Sequence, residues 1–264
     1  MQNKMTRPAA PCAALAGGVA ALGRAAATVY GTGKTVQYRN AAGGYVTTAS
    51  FGELLREAVF TDEDMARAAA LLLAGNLPEQ GVKTTLILLS ALLKRGTQAG
   101  CAEETWRQVF ALLDYGASFT ERVAAENGGQ VVGGGLTLLT LCRPVRKYAR
   151  EYQWELAADV VIYGLEQPLL RLAEAAGFDG YAVFERVKAL APNQFFSLHQ
   201  VGIERSIQVD PTHTDYIRVG LDLEKGTVRD LLEAGVLEDG ALIRQVLAFV
   251  RERGEALLGV ADVL

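Results

Sequence analysis

The residues best placed for chemistry lie early, in the stretch TVYGTGKTV at 28–36. Its Gly33-Lys34-Thr35 ends like a phosphate-binding P-loop, in which glycine amides and a lysine cradle phosphate oxygens. That loop also needs a glycine five residues before Gly33, and position 28 is Thr. It must follow a buried strand and open a helix, yet an Ala-rich run precedes these residues and an alternating run follows them. The motif therefore fails as a P-loop. A second candidate is VDPTHTD, where Asp210, His213 and Asp215 offer oxygen and nitrogen donors to a metal. Asp210-Pro211 equally opens a polar turn, which is the simpler reading. His199 stands alone among apolar neighbours. Cys142 has no histidine near it in sequence to activate a thiolate, so it reads as a buried helix residue. The basic run RPVRKYAREY at 143–152 also carries Glu151, the mark of a solvated helix face rather than a stripe that tracks nucleic acid.

Most of the chain that holds these groups is helical by pattern. Residues 14–29 form an Ala-rich helix. Residues 36–48 alternate in polarity about Asn40-Ala41-Ala42-Gly43-Gly44 and predict a β-hairpin. Ser50 followed by Glu53 is a capping box that opens the next helix. A further helix runs from Thr61 to about Gly75, with Met65, Ala68, Ala69, Leu72 and Leu73 on one face. Residues 82–94 are apolar nearly all round, which predicts a buried helix. Two short helices are expected at 103–113 and 119–126, separated by DYGAS. Beyond Gly133-Gly134-Gly135 come helices with Pro144 and Pro168 as kinks, then one at 178–190. Residues 191–221 lack a helical period, and RSIQVD and DYIRVGLDL read as strands. Residues 228–258 read as helical with a break near Gly235. There is no internal repeat. The expected class is mostly α with a small β element, arranged as an N-terminal segment at 1–15 and one domain at 16–264.

Composition narrows the function classes. Half of the 264 residues are hydrophobic, enough for a sizeable core. A net charge of −4 argues against broad binding to nucleic acid or to an anionic membrane, each of which needs a basic face. The 3 cysteines, Cys12, Cys101 and Cys142, are odd in number, far apart and in no metal spacing, so a reducing, cytoplasmic setting is expected. No apolar run reaches membrane-spanning length. Lys4 and Arg7 before an Ala-rich run give a faint signal-peptide look, but the apolar residues are small and Arg24 interrupts them, so secretion is not expected.

Taken in order, several segments resemble the equatorial domain of a bacterial, group I (GroEL-like) chaperonin. GVAALGRAAATVYGTGKTV is similar to the family's first long helix and its Thr-Leu-Gly-Pro-Lys-Gly nucleotide loop, one residue shorter. VQYRNAAGGYVTTAS resembles the stem-loop that pairs with a neighbouring subunit. LPEQGVKTTLILLSALL sits where the family has Gly-Asp-Gly-Thr-Thr-Thr and a buried helix. AAENGGQVVGGGLTLL resembles the stretch Glu-Glu-Gly-Val-Val-Ala-Gly-Gly-Gly, and GLEQPLLRLAEAAGFDGYAVFERVK the helix pair after it. GLDLEKGTVRDLLEAGVLEDGALIRQVL and EALLGVADVL resemble the family's closing segments. No single piece is specific, whereas the collinear set is. The family's intermediate and apical domains have no room near 114–118, so the resemblance implies an equatorial-like domain without the folding cage. Residues 191–217 are longer than the matching loop, and their apolar NQFFSLHQVGIERSIQV could be a partner surface or a plain hairpin over the core.

The resemblance also maps a nucleotide site. Phosphoryl transfer to water needs a metal held by oxygens and a group that orients the water. The three aspartates that do this in the family fall at Ser50, Gln80 and, by residue counting, Ala117. Loss of one general base typically costs about 10²–10⁴ in rate, so the resemblance implies no catalytic residues here and no hydrolysis by that mechanism. Gly31 and Thr32 match the phosphate loop, Gly81, Lys83 and Thr84 the start of the buried helix, and Gly133, Gly134 and Gly135 the triple glycine. Glu238 falls at the ribose contact, and Asp222-Leu223-Glu224 replaces the adenine contact Asn-Ala-Ala with residues poorly suited to a base edge. Lys83 could serve as a point charge for phosphate without metal. The glycines equally serve helix ends and tight packing, which is the preferred reading. No cofactor is required on this view, and ATP or ADP bound without turnover stays open. The expected function is a non-hydrolytic assembly or protein-binding module, pairing with another copy or a partner through the 36–48 hairpin. MQNKMTRPAAPC does not look like the strand that completes that sheet in the family ring. The alternative is an ATP-binding chaperonin-like protein with weak or rewired ATPase activity. An enzyme built around 191–217 has little support.

Overall fold

The computed structural model describes residues 13–31, 33–75, 79–187, 218–222 and 225–259. Among these, helix α1 (Ala13–Thr28) leads into a two-stranded hairpin of β1 (Val36–Arg39) and β2 (Tyr45–Thr48). Then come α2 (Phe51–Glu57), α3 (Glu63–Leu73), a single 3₁₀ turn (Glu79–Gly81), α4 (Val82–Gln98) and α5 (Glu103–Glu126). A short strand β3 (Gln130–Val132) precedes α6 (Leu136–Glu151) and α7 (Glu155–Ala175), and residues 180–187 are helical (α8). Strands β4 (Val219–Asp222), β5 (Thr227–Asp230) and β6 (Leu237–Asp239) lead to α9 (Gly240–Leu258). The fold is mostly α, a helical bundle with three small antiparallel pairs, β1 with β2, β3 with β6 and β4 with β5.

Helix α4 forms the axis. Its Leu86, Ile87, Leu88, Leu89, Leu92 and Leu93 are all buried, as its unbroken apolar run requires. α1 and α7 both run antiparallel to it: Gly23 meets α4 at Leu86 and Ser90 while Tyr30 reaches back to Thr84, and Gly164 meets Leu88 and Leu92. α5 and α9 pack along one another on the other flank, and α6 packs on α7. The main core gathers residues from α1 to α9, and a smaller cluster of Val132, Leu136, Leu139, Leu169, Phe184 and Leu231 lies under the triple-glycine loop. No helix among the described residues is long and apolar enough to cross a membrane.

The hairpin has the register set by its turn. Asn40 accepts from the Gly43 amide at 2.9 Å and donates its own to Gly44, and Gly43 takes a positive φ of 83°. Ser50 caps α2 as expected, its Oγ accepting the Glu53 amide at 3.1 Å. The reciprocal half of the capping box is absent: Ser50 N–H goes to Thr48 Oγ1, and the Glu53 carboxylate binds Thr48 and Tyr38.

Two expectations are corrected. Residues 103–126 form one helix and not two: Gly116 is buried against Leu141 and Leu247, and packing on α6 and α9 carries the helix through it. Residues 228–239 are not helical. Asp230 Oδ1 accepts the Glu233 amide at 3.0 Å, Gly235 takes φ 72°, and the flanking segments pair as strands, β5 with the neighbouring β4 and β6 with the distant β3. The DYIRVGLDL strand is present as β4 from Val219. The segment 1–12, RSIQVD, the 191–217 insertion, His199 and the Asp210–His213–Asp215 group lie outside the described residues.

Candidate functional site

The end of α1, the start of α4, the triple-glycine loop and β6 converge on one mouth of the bundle. Helix α1 stops at Thr28, and the chain turns through Tyr30 and Gly31, the latter at φ 94° with Leu172 of α7 alongside. Across the mouth, Gly81 closes the 3₁₀ turn and stands at the head of α4 with no side-chain cap. Tyr30 Oη and Thr84 Oγ1 lie 2.8 Å apart in a hydrogen bond, which ties the two segments together. Lys83 Nζ donates to the Val29 carbonyl at 2.9 Å. This satisfies one of the carbonyls left over at the C-terminus of α1, where a cation is also favoured by the helix dipole. Burial lowers the proton affinity of the Lys83 ammonium.

The triple glycine supplies the third side. Gly133 donates to the Val236 carbonyl at 2.9 Å, holding β3 beside β6. Gly135 takes φ 73°, and a Cβ there would lie 3.0 Å from the backbone nitrogen of Leu169, so only glycine lets the loop sit on α7. The Glu238 carboxylate accepts hydrogen bonds from the backbone amides of Gly134 and Gly135. These amides open α6, so a carboxylate of the chain itself stands at a helix N-terminus, where backbone N–H groups and the dipole favour an anion. Burial pushes the Glu238 carboxyl above the usual carboxylate range, and the two amides pull it partly back. Burial likewise raises the Tyr30 phenol, the Thr84 hydrogen bond offsets part of this, and the nearby Glu238 charge adds to it. Gly31 lies against Leu172 and Gly135 against Leu169, one turn apart on α7, which brings the two sides of the mouth together.

The structure therefore brings together Gly31, Gly81, Lys83, Thr84, Gly133, Gly134, Gly135 and Glu238. Thr32 lies outside the described residues. Ser50 is close, since α2 abuts α4 at Gly52 and Val82, but its hydroxyl is committed to the Glu53 amide. Gln80 is exposed on the 3₁₀ turn. Ala117 is buried in the middle of α5, next to the Gly116 contact with α6 and α9. Asp222 is buried, 3.6 Å from Arg229, and its Oδ1 accepts the Lys225 amide, while Leu223 and Glu224 lie outside the described residues. Among the described residues no cluster of three or more His, Cys, Asp or Glu side chains is arranged to hold a metal.

Tyr30 and the Val29 carbonyl are the members that sequence reasoning missed. The only signal for Tyr30 was its place directly before Gly31, since its partner Thr84 is 54 residues away.

Residues 81–264 match the sequence profile of the TCP-1/cpn60 chaperonin family. A thermosome subunit of Methanopyrus kandleri is 29% identical over 143 residues, which cover 53% of this chain and 22% of that protein. A chaperonin GroEL of Methanospirillum hungatei is 27% identical over 169 residues, covering 62% of this chain and 27% of that protein. The chain thus spans about a quarter of the length of these curated relatives.

Proposed function

We propose that this chain, which belongs to the TCP-1/cpn60 chaperonin family, is a non-hydrolytic assembly or protein-binding module built on an equatorial-like domain. The observation that carries this reading is Glu238. Its carboxylate sits on the amides of Gly134 and Gly135, the very groups that would greet a ligand anion at the start of α6. A phosphate or ribose group must displace it and then face its charge. Lys83 is engaged in the same way, with its ammonium on the Val29 carbonyl.

The three positions that would carry metal and water chemistry support the same reading. Ser50 caps a helix, Gln80 is exposed and uncharged, and Ala117 is buried and apolar. Without carboxylates there, a magnesium ion has no anionic ligand and an attacking water has no general base. The unbroken α5 supports a domain in which the intermediate and apical insertions are replaced by continuous helix. Among the described residues Cys101 and Cys142 form no disulfide, in keeping with a cytoplasmic setting.

Assembly would use the β1–β2 hairpin. The Asn40–Gly44 bond fixes the alternation of the ladder, so the backbone of Tyr45 and Thr47 points away from β1. Both residues are exposed, leaving a short edge for strand addition by a second copy or another protein. A second reading, an ATP-binding protein with weak or rewired turnover, is favoured by one feature: the first turn of α4 holds no acidic residue and carries Lys83.

Light scattering over a concentration series, with and without Mg-ATP, separates the two. The module reading expects an oligomer that grows with concentration, ignores Mg-ATP and is weakened by Thr47→Pro, which removes an edge N–H. A strict monomer at high concentration overturns the assembly claim. A size change that depends on Mg-ATP selects the second reading.

A further inference from the structure

A second concave surface lies along the bundle and shares no residue with the Tyr30–Glu238 mouth. Helices α1 and α7 both press onto α4 at the same height. A Cβ on Gly23 would fall 2.4 Å from Ser90 Oγ, and one on Gly164 would fall 2.7 Å from Leu92 Cδ2. The two outer helices hardly touch one another along this stretch. What remains between them is a trough of about 850 Å³ lined by α1, α4 and α7.

The lining of the trough has two characters. Its base is made of small side chains, with Ala20, Gly23 and Ala27 of α1 and Ala91 of α4, which let another backbone approach closely. Its walls carry cations. Arg24 and Lys94 are exposed, and neither makes an ion pair or hydrogen bond among the described residues. Arg171 lines the wall opposite and is tied to Glu174 at 2.7 Å and to Gln167 at 3.3 Å. Three cations against one carboxylate make a positive trough on a chain whose net charge is −4.

The cations are strung out and do not converge on one point. Because α1 and α7 run antiparallel to α4, Lys94 lies towards the Ala20 end, Arg24 stands near the Ser90 level, and Arg171 lies towards the Thr28 end. From Tyr163 to Ala175 the α7 wall extends about 18 Å at 1.5 Å per residue, the length of about twelve helical residues. A single phosphate would use one of these charges. An amphipathic helix with small apolar residues on one face and carboxylates beside it would use all of them and cover the base.

We propose that the α1–α4–α7 trough is a docking groove for an acidic amphipathic helix of a partner protein, held by Arg24, Lys94 and Arg171 over a small-residue base.

The test is fluorescence anisotropy with a fluorescein-labelled two-heptad peptide carrying Ala and Leu on one face and Glu flanking it. The proposal expects saturable binding that weakens as salt rises, and no binding by the same peptide with Lys in place of Glu. Arg24→Glu with Lys94→Glu should weaken the Glu peptide about tenfold or more. Both side chains are free of internal partners, so circular dichroism and melting should match the wild type. Ala27→Trp, which fills the base without changing charge, should weaken it as well. Equal binding of the two peptides, or an unchanged affinity in the double variant, overturns the proposal. So does binding of sodium tripolyphosphate without peptide binding, which would mark a small-anion site. Loss of self-association in the double variant without peptide binding would give the trough to a second copy and also overturn it.

Discussion

The hairpin root and the glycine mouth each centre on a tyrosine hydroxyl, and they use carboxylates in opposite ways. At the root, the buried Tyr38 donates to Glu57 at 2.9 Å and to Glu53 at 3.3 Å, and Glu53 also accepts from Thr48 at 2.6 Å. Two carboxylates there bind side chains and pin the hairpin to α2. At the mouth, Tyr30 finds a hydroxyl partner in Thr84, and the one carboxylate, Glu238, faces backbone amides. Among the described residues, the carboxylate at this mouth faces backbone amides and not open space, where a metal or a water would need it.

Four substitutions sharpen or break that contrast, and chemical unfolding reads each of them. The largest effect is expected for Gly135→Ala, which combines a left-handed backbone with a 3.0 Å approach to Leu169; about 3 kcal/mol should be lost. A loss below about 1 kcal/mol would show that the loop can relax away from α7. Glu238→Ala leaves two amides without their acceptor and should cost about 2 kcal/mol. Tyr38→Phe removes the phenol from Glu53 and Glu57 and should cost about 1 kcal/mol. If Tyr38→Phe proved costlier than Glu238→Ala, the ranking of the two regions would be reversed and the contrast would fail. Lys83→Met keeps the apolar stem but frees the Val29 carbonyl, for about 0.5–1 kcal/mol.

The pH dependence of the two regions has the same sign and a different window, since both groups are raised in the fold. Burial, with Glu57 and Glu53 beside it, pushes the Tyr38 phenol up to about 12. A phenol raised in the fold contributes stability that is present below its unfolded value of about 10 and is lost as pH climbs through the folded value. The wild type should therefore lose stability above pH 10 more steeply than Tyr38→Phe. Glu238 is also raised, chiefly by burial. Its contribution is fully present below the ordinary glutamate value of about 4.3 and fades as pH rises through the folded one. Glu238→Gln should flatten that segment of the stability profile. This is the smallest effect, and an unchanged profile would mean that the carboxylate is better solvated than its position suggests.

Much of this was legible in the residues. The hairpin followed from its alternation and its Asn40–Gly44 turn, and the buried α4 from an apolar run with no polar face. The path of 228–239 was not legible, because Val228, Leu231, Leu232 and Val236 fit a helical period. Of the strands that compete for it, β4 adjoins it and was read as a strand, but β3 lies more than a hundred residues away, and only the turn at Asp230 and Gly235 hinted at that pairing. α5 reads as two helices because Gly116 and Ser118 resemble a break, whereas burial of this stretch against Leu141 and Leu247 holds it helical. For the site, the resemblance gathered the glycines with Glu238, but it could not say that Glu238 turns onto Gly134 and Gly135. That depends on β6 pairing with β3, a contact across more than a hundred residues.

The central claim is that the mouth is closed by its own side chains and lacks the acids of turnover. The most direct measurement is phosphate release from Mg-ATP by the purified chain, beside Lys83→Met and Glu238→Gln. The account predicts release equal to the protein-free control in all three. Release by the wild type that either substitution abolishes would contradict it.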